Sequence, residues 1–137
     1  MANLVETANS AGSFNTLMTA LKAADLEATL SSPGPFTILA PTDEAFEQLP
    51  QGELDSLLQD PHKLKQVLLY HVISGDVRSD DLIEIDEAPT VEGTLVAVEQ
   101  AEDGVRINDS RVLQMDILAE NGVIHVIDGV LMPVIMG

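Results

Sequence analysis

The chain has no cysteine and no tryptophan, and it has one tyrosine, three phenylalanines and six basic residues in 137. Each shortage closes a class of function. Without thiols there is no disulfide, thiolate zinc site, iron–sulfur cluster or cysteine nucleophile. The length suits a single domain over residues 1–137, and a domain of this size buries about two thirds of the surface its unfolded chain exposes, so it folds without cross-links. Their absence says little about compartment. Too few aromatics remain for a base-stacking platform. Six basic residues against 23 acidic ones leave a formal charge of −17, which repels phosphate backbones and anionic membrane surfaces alike. No apolar run reaches the roughly 18 residues of a membrane span. Nucleic acid and direct membrane insertion therefore drop out. The opening "MANLVETANSAGSF" lacks the basic and apolar regions of a signal peptide. The expectation is either an intracellular protein or one whose leader has been removed.

What is present is patterned. In "SFNTLMTALKAADL", Phe14, Leu17, Met18, Leu21 and Ala24 recur at helical spacing, with Ser13 as cap. "SSPGP" breaks that period and "FTILA" (36–40) reads as a buried strand. In "PTDEAFEQLP", Thr42 caps a helix, Asp43 and Glu44 sit in its first turn, and Pro50 closes it. "ELDSLLQ" is a further amphipathic turn or two. "DPHKLKQVLLYH" starts with Asp60 as cap and Pro61 at the first helical position, and its stripe of Leu64, Val67 and Leu68 puts His71 in register with the buried face. "SDDLIEID" (79–86) suits one helical turn capped by Ser79. Beyond it the period changes, and 94–100, 105–109, 111–118 and 123–133 read as strands. In the last, Val123, His125 and Ile127 share one side, with Ile124, Val126 and Asp128 on the other. Helices followed by strands argue an α+β fold.

Three stretches go beyond pattern. "FTILAPTDEAFEQLP" (36–50), "YHVISGDV" (70–77) and "ENGVIHVIDGVLMP" (120–133), in that order and spacing, resemble the fasciclin, or FAS1, domain across essentially the whole chain. The resemblance implies a seven-stranded antiparallel β-wedge with several short helices packed along it. It also implies a secreted or cell-surface adhesion module, binding a protein or polysaccharide partner on a cell surface or matrix. No cofactor is expected, and the domain is expected to be a monomer. In animal matrix members the Tyr-His motif and its apolar neighbours are implicated in integrin binding. Here these are Tyr70 and His71, flanked by Leu68, Leu69, Val72 and Ile73. A second implicated pair, Asp-Ile, matches Asp116 and Ile117.

The residues themselves leave His71 four roles: base, metal ligand, recognition group or buried structural group. A catalytic base needs a neighbouring nucleophile, and no G-x-S-x-G elbow or other nucleophile motif occurs. A metal ligand needs partners, and neither H-x-x-x-H nor H-E-x-x-H spacing occurs. No catalytic residue, metal ligand or enzyme activity is therefore assigned. The structural role predicts a buried ring bonded to a backbone carbonyl, or to Thr42 or Asp43 at the start of the "PTDEAF" helix. Such a ring would hold Tyr70 in place, so the two roles are compatible. The alternative function is a small-ligand carrier or enzyme with a pocket near His71 or His125. His125 reads as a satisfied histidine in the sheet. Asp116 is either a contact to a partner or a solvated strand-end carboxylate. The acidic run "DVRSDDLIEIDE" (76–87) lacks the order of a calcium loop and reads as a solvated face. The acidity at large reflects solubility or adaptation to high salt. "NDS" (108–110) is a glycosylation sequon or ordinary turn chemistry.

Overall fold

Short helices with explicit caps account for most of the first half of the chain. The structure is a computed structural model that describes residues 3–131 other than 13, 32–34, 50, 51, 83, 92, 94, 102, 103 and 109. Helix α1 (Leu4–Ala11) begins with a capping box. The Asn3 side chain accepts from Glu6 N–H and the Glu6 carboxylate accepts from Asn3 N–H, so two otherwise unpaired helix-start donors are satisfied. It is a helix the periodicity reading passed over. Helix α2 (Asn15–Ala23) has Phe14 at its cap position and no side-chain cap of its own. Ser13 and Pro50, read as cap and stop, lie outside the described residues. After α3 (Glu27–Ser31) and strand β1 (Phe36–Pro41) come α4 (Asp43–Glu47), capped by Thr42, and α5 (Glu53–Leu58). Helix α6 (Pro61–Leu69) carries the Asp60 cap and Pro61 start that the sequence indicated.

The remaining elements are β2 (Val72–Ser74), α7 (Ser79–Leu82), β3 (Glu87–Pro89), β4 (Leu95–Ala101), β5 (Gly104–Ile107), β6 (Ser110–Ala119) and β7 (Gly122–Ile127). They form one seven-stranded sheet in the order β2-β1-β7-β6-β5-β4-β3. The sheet curls until its edges nearly meet: Ile73 bridges Thr90, and Val91 N–H donates to the Val72 carbonyl at 2.8 Å. The all-antiparallel wedge needs correction, because β1 and β7 run parallel over Phe36–Pro41 and Gly122–Ile127. The chain between them passes through four helices and five strands, ample length for the crossover that parallel neighbours require. Gly122 opens this pairing, and a Cβ there would run into the Phe36 backbone carbonyl.

The parallel pair divides the core in two, and each strand feeds both halves by alternation. Ile38, Ala40, Ile124 and Val126 face the helices, packing with Leu4, Leu17, Leu21, Leu64, Val67 and Leu68. Leu39 and Ile127 face the other way, into a layer with Tyr70, Ile73, Val96, Val98, Ile107 and Val112. Burial on both faces explains why "FTILA" and "VIHVI" read as continuous apolar runs rather than alternating ones. Each such side chain taken fully from water contributes roughly 1.5–3 kcal/mol.

Candidate functional site

Helix α6 delivers Tyr70 and His71 into the interior. Its stripe ends at Leu68, Tyr70 forms the C-cap, and the chain enters β2 two residues later. Leu68, Tyr70, His71, Val72 and Ile73 are all buried and Leu69 is partly so. The Tyr70 hydroxyl donates to the Leu95 carbonyl and accepts from Asn108 Nδ2, both at 3.1 Å. Asn108 sits in the left-handed region at φ 55, where asparagine is tolerated. Its side-chain oxygen accepts from Ala97 N–H at 2.9 Å. The first residue of the "NDS" sequon is thus committed to clasping Tyr70 against β4.

The His71 ring bonds to the backbone at both nitrogens. Nδ1 is 2.8 Å from the Val67 carbonyl, and Nε2 accepts from Leu131 N–H at 2.8 Å. A carbonyl can only accept and an amide N–H can only donate, so the proton belongs on Nδ1. Burial pushes the pKa down to about 4 against the opposing bond to Val67, and the ring is neutral at pH 7. Of the partners weighed from sequence, a backbone carbonyl is the one found; Thr42 and Asp43 are engaged elsewhere. The Thr42 hydroxyl caps α4 through Ala45 N–H. Asp43 reaches back to α2, accepting from Thr16 N–H at 2.7 Å and Asn15 Nδ2 at 3.2 Å. It supplies the cap that α2 lacks. Burial opposes its ionisation, but the bonds from Thr16 and Asn15 prevail and hold its pKa below the ordinary value.

His125 makes a second internal tie. Nε2 is 2.6 Å from the Val77 carbonyl and Nδ1 accepts from Asp116 N–H at 3.3 Å. Burial lowers its pKa, while the Val77 bond and the nearby carboxylates of Asp116 and Asp76 act the other way. Thr37 pins the same segment, donating to the Gly75 carbonyl and accepting from Val77 N–H, both at 2.8 Å.

Asp116 and Ile117 occupy a different setting. They lie in β6 at one of two register shifts against β7, and Asp116 is exposed with φ 61. Ile117 is half-buried against the helix-side core. On its β5 side, β6 pairs only through Ser110 and Arg111 among the described residues. Among the described residues no strand pairs with Leu113–Leu118 on that side, and Leu113 and Leu118 are 52% and 46% exposed. The sequence reading placed this strand but not its free edge. The signal was length, since β6 has ten residues and β5 only four.

A cavity of about 480 Å³ lies beside the end of β6, between the start of α1, the end of α3, the segment after β2 and the β6–β7 turn. Neither His71 nor His125 lines it. Asn121, in the β6–β7 turn, ties the region together. Its Oδ1 accepts from Leu4 N–H at 2.8 Å and its Nδ2 donates to the Leu30 carbonyl at 2.7 Å. Among the described residues no three His, Asp or Glu side chains converge as metal ligands, and no helix is long and apolar enough to cross a membrane.

The fasciclin-domain family model matches residues 12–133. The chain belongs to the fasciclin family. This fasciclin domain is 44% identical over 132 residues to Synechocystis protein sll1735, covering 96% of this chain and 98% of that one. It is 36% identical to the transforming growth factor-beta-induced protein ig-h3 of Sus scrofa, covering 88% of this chain but 18% of that much longer protein. Among solved structures it is similar to a FAS1 domain pair from the insect cell adhesion molecule Fasciclin I. The match has a TM-score of 0.62 and 26% identity, over 86% of this chain and 43% of the pair. Fasciclin domains therefore occur in a cell adhesion molecule, and the fold here is theirs: a nearly closed seven-stranded mixed sheet with helices packed on it.

Proposed function

We propose that this fasciclin domain is a non-catalytic adhesion module that acts outside the cell, secreted or at its surface. Its partner is a protein or polysaccharide of a cell surface or matrix, met along the outer edge of β6 from Leu113 to Leu118, with Asp116 and Ile117 at the centre. One observation carries this reading. Tyr70 and His71 are 1% and 2% exposed, whereas Leu113 and Leu118 are 52% and 46% exposed on a strand that, among the described residues, pairs with β5 only through Ser110 and Arg111. An open edge flanked by apolar side chains is a template for an added strand. Under this reading Leu68, Leu69, Tyr70, His71, Val72 and Ile73 serve recognition only by holding the fold in shape. A charge of −17 on each copy opposes pairing with a second copy, so the domain works as a monomer.

The test is binding of the labelled domain to the surface of the cells that produce it. Leu113→Asp with Leu118→Asp should lower binding at least tenfold while leaving the unfolding midpoint nearly unchanged, because both positions are exposed. Tyr70→Phe should lose stability and keep binding at temperatures where it is folded. Undiminished binding by the double edge variant would refute the assignment.

A further inference from the structure

A histidine closes the bulge in β6. Between the pairs Gln114–Val126 and Ile117–Ile124, β6 has two residues, Met115 and Asp116, where β7 has His125 alone. The extra residue reverses the alternation of the strand. Met115 packs into the layer with Tyr70 and Ile117 into the helix-side core, although residues two apart on a regular strand share a face. Asp116 absorbs the extra length at φ 61, a conformation that costs an L-residue unless its surroundings hold it. What holds its N–H is a side chain: Nδ1 of His125, at 3.3 Å. The other ring nitrogen, Nε2, is 2.6 Å from the Val77 carbonyl. A carbonyl only accepts, so Nε2 carries the proton and Nδ1 offers a bare lone pair to Asp116. A second proton, on Nδ1, is incompatible with that contact, because two N–H groups would then face each other.

The charges around the ring come from two sides. Asp116 on β6 and Asp76 after β2 both favour the protonated form, and burial opposes it. Arg78 is paired with Asp76 and is also acted on by Asp116 and by Asp81 of α7. Strand β1, whose Leu39 pairs with His125, has no titratable residue. Helix α1 packs on the opposite face of β7, where Ile124 and Val126 point. Burial prevails and sets the ring below its ordinary value of 6.5, so the ring is neutral at pH 7 and takes its second proton in acid. The protonated ring then needs an acceptor at Nδ1, and Asp116 carries one on the same residue whose N–H must leave.

We propose that His125 and the Met115–Asp116 bulge form a proton-operated switch: the neutral ring holds the Asp116 N–H, and the protonated ring releases it, takes the Asp116 carboxylate instead and resets the bulge between Gln114 and Ile117. That the switch governs partner binding rests on the reading of the β6 edge as the contact surface; that the bulge moves with His125 does not. The test follows the isotopically labelled, folded domain by NMR from about pH 7.5 to about pH 5. The His125 ring signals should titrate below 6.5, and the backbone amides of Met115, Asp116 and Ile117 should shift with the same midpoint. The Leu131 amide, bonded to His71, reports that ring separately. Asp116→Asn keeps a residue that tolerates the left-handed backbone and removes the carboxylate, so the His125 midpoint should fall by about 0.5 pH unit. His125→Gln should abolish the step at the three bulge amides. A ring that stays neutral until the domain unfolds would overturn the proposal, as would a ring that titrates without moving those amides. So would an unchanged midpoint in Asp116→Asn. If His125→Gln does not fold, the titrations of the native domain and of Asp116→Asn decide the matter. Bulge amides that move while binding to the producing cells ignores pH would support the switch and count against the β6 edge. Fixed amides would sink the switch and leave the edge to the Leu113 and Leu118 variants.

Discussion

The Tyr70–His71 knot and the Asp116–Gly122 stretch both contain residues that the family resemblance associates with binding, yet they differ in every physical respect. In the knot the ring nitrogens of His71 and the hydroxyl of Tyr70 are bonded to backbone or to Asn108, and both side chains are out of water. In the stretch the strand shifts register, a non-glycine residue holds a positive φ, and Leu118 faces solvent. A motif can therefore matter to binding in two ways. It can touch the partner, or it can fix the shape of the part that does. Under the proposed function the first description applies to β6 and the second to α6–β2.

The sharpest way to break this contrast is at His71. Replacing it with Ala leaves the Val67 carbonyl and Leu131 N–H unpaired in the core and opens a void, so a loss of about 4 kcal/mol is expected. Urea unfolding measures it; a loss under about 1 kcal/mol would mean the ring is not structural. Acid is the next lever. The folded pKa of His71 lies below its unfolded value, about 4 against 6.5, so the unfolded chain binds the proton more readily between those values. The stability this ring contributes is complete above about pH 6.5, declines as pH falls, and is gone near pH 4, a change on the order of 3 kcal/mol. His125 shifts in the same direction. Asp43, shifted down, adds its own loss only below its ordinary value of 3.8. Unfolding curves at pH 7 and pH 4.5 that coincide would contradict the neutral buried ring.

A smaller effect belongs to the tyrosine. Tyr70→Phe removes bonds to Leu95 and Asn108 and should cost about 1–2 kcal/mol. Asn108→Ala should cost a similar amount, and the double variant less than the sum, because both losses share one contact. Additive losses would show that the clasp is not a unit. The smallest effect is expected at Asp116, where glycine suits the left-handed backbone. Asp116→Gly should change stability by no more than about 0.5 kcal/mol while altering binding to the partner, the reverse of the His71 outcome. Salt acts on the acidic coat as a whole. A rise in unfolding midpoint with added KCl would support adaptation to high salt, and a flat curve would remove it.

Local signals were legible wherever a residue acts on its own neighbourhood. Thr42 and Asp60 cap the helices that follow them because a cap bonds to an amide three residues on. "NLVE" carried the capping box of α1 in the same readable form, and the helix was missed because its apolar stripe is short. Strands β2 and β3, three residues each, have too few positions to show a period. Asp43 was placed correctly on α4 but its task lies on α2, 27 residues away. No local pattern announces such a bond.

By itself the chain determined what short-range chemistry can determine: the helices that carry a long apolar stripe or a readable cap, which strands are buried on both faces, that His71 points inward, and that thiol chemistry is absent. The tertiary structure decided the parallel pairing of β1 with β7, the partners of His71 and Asp43, the open edge of β6 and the cavity at its end. The physical reason is separation along the chain. Caps and periodicity act across a few residues, whereas pairing direction, a ring's bond to an amide 60 residues on, and a cavity lined by four segments exist only once the chain has closed on itself.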